Sequence, residues 1–263
     1  MPQLGCLARF FNRYKDEFKF AKENNFDFMQ LWYDNRGLCL HEDDKDFINT
    51  INKYNFPTII HAVLNINEFE EHIPKLLDIL NKLNHKELII HPICENEDID
   101  EETLNKLNLN IKYALNILKP HGINLFLENN SKLGPIFTTT DEIQKIFSQN
   151  ADLEFLLDIA HIYNINHLQD LINIKYPKIL HIADRHFDVI HEHLPIGHGE
   201  IDFQHIFSKL LPQYNGKIIL EIVNKDSDII NSKNLIQNFL NNQINNKPYL
   251  SYLKQEHSVH NIH

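Results

Sequence analysis

KILHIADRHFDVIHEHLPIGHGEID, residues 178–202, joins a short apolar run to a loop crowded with histidine and carboxylate. Ile179 and Leu180 read as a strand delivering His181 and Asp184. The loop then carries His186, Asp188, His191 and His193, and a Gly197-His198-Gly199 turn leads into a helix. Imidazole is the commonest metal ligand among side chains. In an extended loop, His191 and His193 can reach one ion or two neighbouring ions. Taken alone, the stretch fits a metal site or a histidine-rich surface loop in a chain with 17 histidines.

Working outward, the same strand-then-helix unit recurs along the whole chain. The apolar runs predict strands at Leu4–Ala8, Asp27–Tyr33, Pro57–Val63, Lys86–Pro92, Ile123–Glu128, Glu154–Asp158, Lys178–Ala183 and Lys217–Glu221. Helical patterns follow at Arg13–Asn24, Asp44–Tyr54, Glu68–Leu83, Glu101–Leu118, Thr140–Phe147, Asn166–Ile174, Phe203–Leu211 and Ser232–Leu240. In the third of these, Phe69, Ile73, Leu76, Leu77, Leu80 and Leu83 fall on one face at i, i+3, i+4 spacing. Strands alternating with helices demand parallel pairing through right-handed crossovers, and eight such units close into a (β/α)8 TIM barrel. The rival is a doubly wound open sheet, which usually carries a Gly-rich phosphate turn after its first strand. Here Ala8 runs into RFFNR, and with seven glycines the chain has no dinucleotide fingerprint or P-loop.

The length of 263 residues suits one such barrel, expected over 1–248 with a C-terminal tail at 249–263. The tail's His257, His260 and His263 fit a frayed terminus. Cys6, Cys39 and Cys94 are odd in number and scattered, which argues against a disulfide framework and fits a reducing compartment. No signal-like or membrane-length apolar run is present, so a soluble cytoplasmic protein with no membrane partner is expected. The formal charge of −11 disfavours nucleic acid as a partner, although three divalent cations would reduce it to −11 + 6 = −5.

Just where each later strand ends, a metal-binding type of residue appears: His61, His91, Glu128, Asp158, His181 and Glu221. In a barrel all six face the C-terminal mouth, where catalytic groups sit. Any one of them could be a core histidine bonded to a carbonyl, or an aspartate capping the next helix. Together they are costly to bury unless paired or metal-bound.

These residues resemble the superfamily of xylose-isomerase-like TIM barrels, which takes in sugar-phosphate isomerases and epimerases and the endonuclease IV type of apurinic-site nuclease. The resemblance rests on Leu157-Asp158-Ile159-Ala160-His161, His181-Ile182-Ala183-Asp184, the run from His193 to Asp202, and Leu220-Glu221. It implies a four-ligand site at Glu128, Asp158, His181 and Glu221. The nuclease branch implies three zinc ions, adding His61, His91, His161, His191 and His193 as ligands. One departure is that the nuclease pattern has Asp-x-His where this chain has His191-Glu192-His193, which keeps a ligand but removes a negative charge. Nine convergent donors exceed the three or four protein ligands of one ion, although histidines can also orient ligands or bind substrate hydroxyls. The expected cofactors are one to three divalent ions, zinc, manganese, magnesium or cobalt, with more than one favoured.

The expectation is a metal-dependent isomerase or epimerase of a small sugar or sugar phosphate, with Glu128 and Glu221 moving the proton. His161, Arg185 and Trp32 would hold the substrate. The alternative is a multinuclear phosphoester hydrolase of the endonuclease IV type. A non-catalytic metal or sugar binder is the third reading. The ligand set favours hydrolysis, whereas the acidic run CENEDIDEE (94–102), placed beside the mouth, would repel a phosphate backbone. Some of those acids also suit a helix start. The stretch QLWYDNRG (30–37) faintly resembles the segment with which the nuclease branch probes DNA, but core packing accounts for Trp32 and Tyr33 as well.

Overall fold

In seven of the eight strands of the sheet an apolar side chain lies two residues before a polar one at the strand's end. Because side chains alternate faces along a strand, the two point the same way and stack in layers. The computed structural model describes residues 1–38, 43–95 and 97–245; Cys39 and the tail with His257, His260 and His263 lie outside the described residues. The chain runs β1 (Gln3–Leu7), α1 (Tyr14–Glu23), β2 (Phe28–Tyr33), α2 (Asp44–Tyr54), β3 (Thr58–Asn65), α3 (Phe69–Leu83), β4 (Glu87–Ile93) and α4 (Glu101–Leu118). It continues through β5 (Asn124–Glu128), α5 (Thr140–Gln149), β6 (Glu154–Asp158), α6 (Ile165–Ile174), β7 (Ile179–Ile182), α7 (Phe203–His205), β8 (Lys217–Leu220) and α8 (Asp226–Asn245). All pairings are parallel and sequential, and β8 closes on β1 with Gly5 opposite Ile219. The architecture is therefore the expected eight-stranded barrel, not the open sheet.

The strand expectations hold to within a residue or two at each end. Two helices differ. The seventh is α-helical only over Phe203–His205 and then widens to a π-helical turn over Ile206–Leu210, where the Leu211 N–H reaches back to the Ile206 carbonyl. The eighth begins at Asp226, before the expected Ser232, and runs to Asn245. Asp226 and Asp228 favour its first turn. Packing of Ile229, Ile236 and Leu240 carries it through an asparagine-rich sequence of poor intrinsic propensity.

Two apolar layers build the core. The larger lies between sheet and helices. There α3 buries Phe69, Ile73, Leu76 and Leu80 completely, each contributing roughly 1.5–3 kcal/mol. The smaller plugs the inside of the barrel with Phe28, Ile59, Ile89, Phe126, Leu156, Ile179 and Ile219. The first strand contributes Gly5 at this level because the Phe28 ring fills the space; a Cβ there would meet the ring at 2.5 Å. Two residues beyond each plug residue come Gln30, His61, His91, Glu128, Asp158, His181 and Glu221. The plug is thus the floor on which a polar layer rests, and that layer opens to the C-terminal mouth.

Candidate metal centre

Glu128 is the centre of the polar layer and is fully buried. Its Oε2 lies 2.6 Å from His61 Nε2 and 3.2 Å from His91 Nδ1, while its Oε1 lies 3.0 Å from His181 Nδ1. His181 Nδ1 also approaches Glu221 Oε2 at 3.2 Å and Asp158 Oδ2 at 3.8 Å. Burial would raise the Glu128 carboxyl, but His181, His91 and His61 hold it well below the usual range. Asp158 goes the other way, pushed well up by burial and by the Glu221 and Glu128 charges. Burial opposes a charge on His181 too, yet Glu221 and Glu128 raise it well above the ordinary imidazole value. Three carboxylates sharing one buried space favour a cation among them, and the His181 imidazolium is the one the chain itself supplies.

Local hydrogen bonds fix which ring nitrogens can serve as ligands. Gln30 donates its amide to Glu221 Oε1 at 3.4 Å, which a carboxylate can only accept. The Gln30 carbonyl therefore faces His181 Nε2, 2.7 Å away, so that nitrogen donates to it and Nδ1 is the one left to face the carboxylates. His161 Nδ1 donates to the Asn129 carbonyl at 2.8 Å, and His193 Nδ1 donates to the Glu221 carbonyl at 3.2 Å. Their Nε2 atoms then face each other at 3.3 Å. Burial first, and in His161 also the neighbouring His193, keeps both rings below the ordinary value and so neutral near pH 7. Two lone pairs pointed at one another at that distance repel, unless a cation lies between them. His191 completes the trio, its Nδ1 held at 3.2 Å from Ser131 Oγ.

The donors consequently sort into groups whose ligand atoms lie within 4.8 Å of one another: His61, His91 and Glu128; Glu128, Asp158, His181 and Glu221; and His161, His191 and His193. His61, His181 and Glu221 make a further overlapping trio. Nine sequence-predicted donors are thus brought together, with Glu128 common to two groups. The fit to divalent ions is supported by two buried atoms that hydrogen bond to nothing, Asp158 Oδ2 and His61 Nδ1. An oxygen that is unpartnered, buried and aimed at imidazoles is what a metal ligand looks like without its metal.

The remaining residues of the 178–202 stretch have other work. Asp184 is buried and clamps the loop, accepting backbone N–H bonds from Arg185, Gly197, Gly199 and Ile201. Gly199 is required beside it, since a Cβ would lie 2.4 Å from the Arg185 carbonyl. His186 pairs with Glu192 at 3.0 Å, on the outside of the loop. Arg185, expected to hold substrate, donates its buried guanidinium to the carbonyls of Ala160, His186 and Val189 and so ties the loop to the turn after β6. Trp32 does face the mouth, its ring centroid 5.7 Å from that of His61 in an edge-on arrangement and its Nε1–H bonded to Asp34. The acidic run is less of a barrier than expected. Only Glu95 lines the cavity, while Glu97 pairs with Lys106, Asp100 caps α4 and Glu101 pairs with Lys145.

Three supporting residues were not anticipated. Gln30 shares the layered spacing of His61 and could have been found from it. Asn129 bonds both the N–H and the carbonyl of Asp158 through its side chain, continuing the β5–β6 pairing past Glu128. Asn130 donates to the Pro92 and Ile136 carbonyls. The polar run Asn129-Asn130-Ser131 after an apolar strand was the available signal.

A barrel whose mouth gathers histidines and carboxylates from six strands defines a class: the TIM barrels built around a polar site at the C-terminal ends of the strands. The chain belongs to the xylose isomerase-like TIM barrel family, whose model matches residues 18–239. No curated protein matches it. Among solved structures it is similar to a D-tagatose 3-epimerase-like protein (22% identity, TM-score 0.73, 92% of this chain and 99% of that one). It is also similar to an AP endonuclease, family 2, from Brucella melitensis (19%, 0.66, 87% and 97%) and to an IolI protein with a bound zinc atom (16%, 0.72, 92% and 99%). At these identities the likeness is one of fold. Among the described residues no helix is long and apolar enough to cross a membrane.

Proposed function

We propose that the chain is a divalent-metal enzyme that hydrolyses a small phosphoester at a multinuclear centre. The observation that carries this is the sorting of nine donors into three ligand groups, two of which share Glu128. One ion uses about four protein ligands, so one ion would leave most of these buried donors unpaired. Clustered divalent ions supply Lewis acidity to phosphoryl oxygens and ready a water for attack. In hydrolysis the water oxygen joins phosphorus, the ester P–O bond breaks and the alcohol leaves with a proton. Glu221, only 8% exposed but on the cavity wall, is the carboxylate placed to take the water's proton. Glu128 and Asp158, sealed beneath, hold ligand charge instead.

A cavity of about 480 Å³ lies above the donors, which is the size of a small-molecule pocket. That volume and the charge of −11 favour a small ester over a nucleic acid. The test is release of nitrophenol from p-nitrophenyl phosphate and its diester by protein loaded with zinc or manganese, compared with Glu221→Gln. No release by protein that has bound its metal overturns hydrolysis.

A second reading, isomerisation or epimerisation of a small sugar, is favoured by one observation. Glu128 and Glu221 are both within the four-donor group, the pair needed to move a proton between neighbouring carbons. Metal-dependent exchange of a ketose C–H in deuterated water, followed by NMR, distinguishes it.

A further inference from the structure

The walls above the donors differ in chemistry from the donors themselves. Leu7, Phe10, Trp32, Val63, Leu133 and Val223 face the same cavity. They come from the ends of β1, β2 and β3 and from the loops after β1, β5 and β8. Three of them are solvent-facing despite being apolar: Phe10 is 53% exposed, Leu133 67% and Val223 42%. Isolated apolar residues at a surface need no explanation, but several converging on one concave mouth mark a binding surface.

The polar inventory of the same walls above the donors amounts to Cys94, Glu95, Asn130 and Ser131. Among the described residues no lysine or arginine lines the cavity. An anionic group on the ligand would therefore find its positive partner only at the donor-bearing floor. The amide of Asn130 is spent on the Pro92 and Ile136 carbonyls, and Ser131 Oγ is bonded to His191 and the Leu133 N–H. A polyol reaching from floor to rim would exchange water for few new hydrogen bonds, which costs affinity. A ring-sized apolar group would instead cover the exposed faces of Phe10, Leu133 and Val223 and lie against Trp32.

We propose that the substrate is two-sided, with an oxyanion head that reaches the metal-binding floor and an apolar, ring-sized body held by the wall of Phe10, Trp32, Leu133 and Val223. This rests on the metal reading of the floor given above. The wall makes the body of the ester, rather than its phosphoryl group, the part that is selected.

The test is calorimetric titration of methylphosphonate and phenylphosphonate into the zinc-loaded protein and into protein stripped with EDTA. The two probes present similar non-hydrolysable heads and differ in the body. Phenylphosphonate is expected to bind the loaded protein roughly ten- to thirty-fold more tightly, from the area its ring removes from water. Leu133→Asn, a neutral change at an exposed position where folding is not at stake, is expected to shrink that ratio to about two-fold. Equal affinities for the two probes in the loaded protein overturn the apolar wall while leaving the metal floor intact. Phenylphosphonate bound equally by loaded and stripped protein keeps the wall and overturns the metal-held head. Binding of neither probe to loaded protein overturns both.

Discussion

Replacing Asp184 by alanine removes a single buried carboxylate that receives four backbone N–H bonds, from Arg185, Gly197 and Gly199 at 2.9 Å and from Ile201 at 3.1 Å. A hydrogen bond to a charged group contributes about 1.5–3 kcal/mol net. Four of them give an upper bound of about 6–12 kcal/mol by simple addition. Water can reach the freed donors around the exposed Gly197, and single substitutions rarely exceed about 5 kcal/mol, so the expected loss is about 3–5 kcal/mol. The loss falls mostly on the loop, because the closed barrel does not depend on it. Asp184→Asn keeps the shape and one good acceptor and should lose about half as much. Hydrogen exchange of the loop amides and denaturant unfolding read the two contributions separately. The loop also carries His191 and His193, so metal retention at the three-histidine group should fall in step with faster exchange. Unchanged amide exchange at Gly197 and Gly199 in Asp184→Ala would refute the clamp and the reasoning built on it.

Two further substitutions probe the scaffold. Glu17→Gln strips the buried Arg9 guanidinium of its bidentate partner, leaving Asp226 as a weaker one; a loss of about 2–4 kcal/mol in denaturant unfolding is expected, and a loss under 1 kcal/mol contradicts the pairing. His85, beneath the barrel beside Thr58, is lowered by burial, and secondarily by Lys217, from 6.5 to about 4. The folded state thus binds fewer protons than the unfolded chain between those values. Its stabilising effect is complete above pH 6.5 and is lost as pH falls towards 4, by about 2–3 kcal/mol. His85→Gln should flatten that part of the pH–stability curve; an unchanged slope counts against it.

The barrel was legible because its strands are continuous apolar runs and its helices amphipathic ones, so element type and order followed from periodicity alone. The ends of the strands were legible for the same reason: His61, Glu128, Asp158, His181 and Glu221 interrupt apolar runs at a cost only a shared site offsets. What periodicity does not encode is partnership between residues distant in sequence. Asp184 and Arg185 looked like site residues because they are polar and lie next to His181. The structure turns both away, one onto backbone N–H groups and the other onto carbonyls. Gln30, conversely, sat in plain view within FMQLWY, yet its role depends on His181, 151 residues away. The acidic run misled in a similar way, since capping and lysine pairing consume charges that sequence alone leaves facing the substrate. The apolar rim was invisible for a different reason: single exposed residues on separate loops carry no pattern until the fold brings them together.

His191 is where the central claim is most exposed, because it supplies an imidazole to a group that otherwise holds only His161 and His193. The decisive measurement is metal content per chain by mass spectrometry, in protein purified without chelator or metal-affinity resin, for the native chain and for His191→Ala. The three ligand groups predict close to three ions in the native protein and close to two in the variant. A single exchangeable ion in both would contradict the multinuclear centre and leave the four-donor group at Glu128, Asp158, His181 and Glu221 as the only metal site.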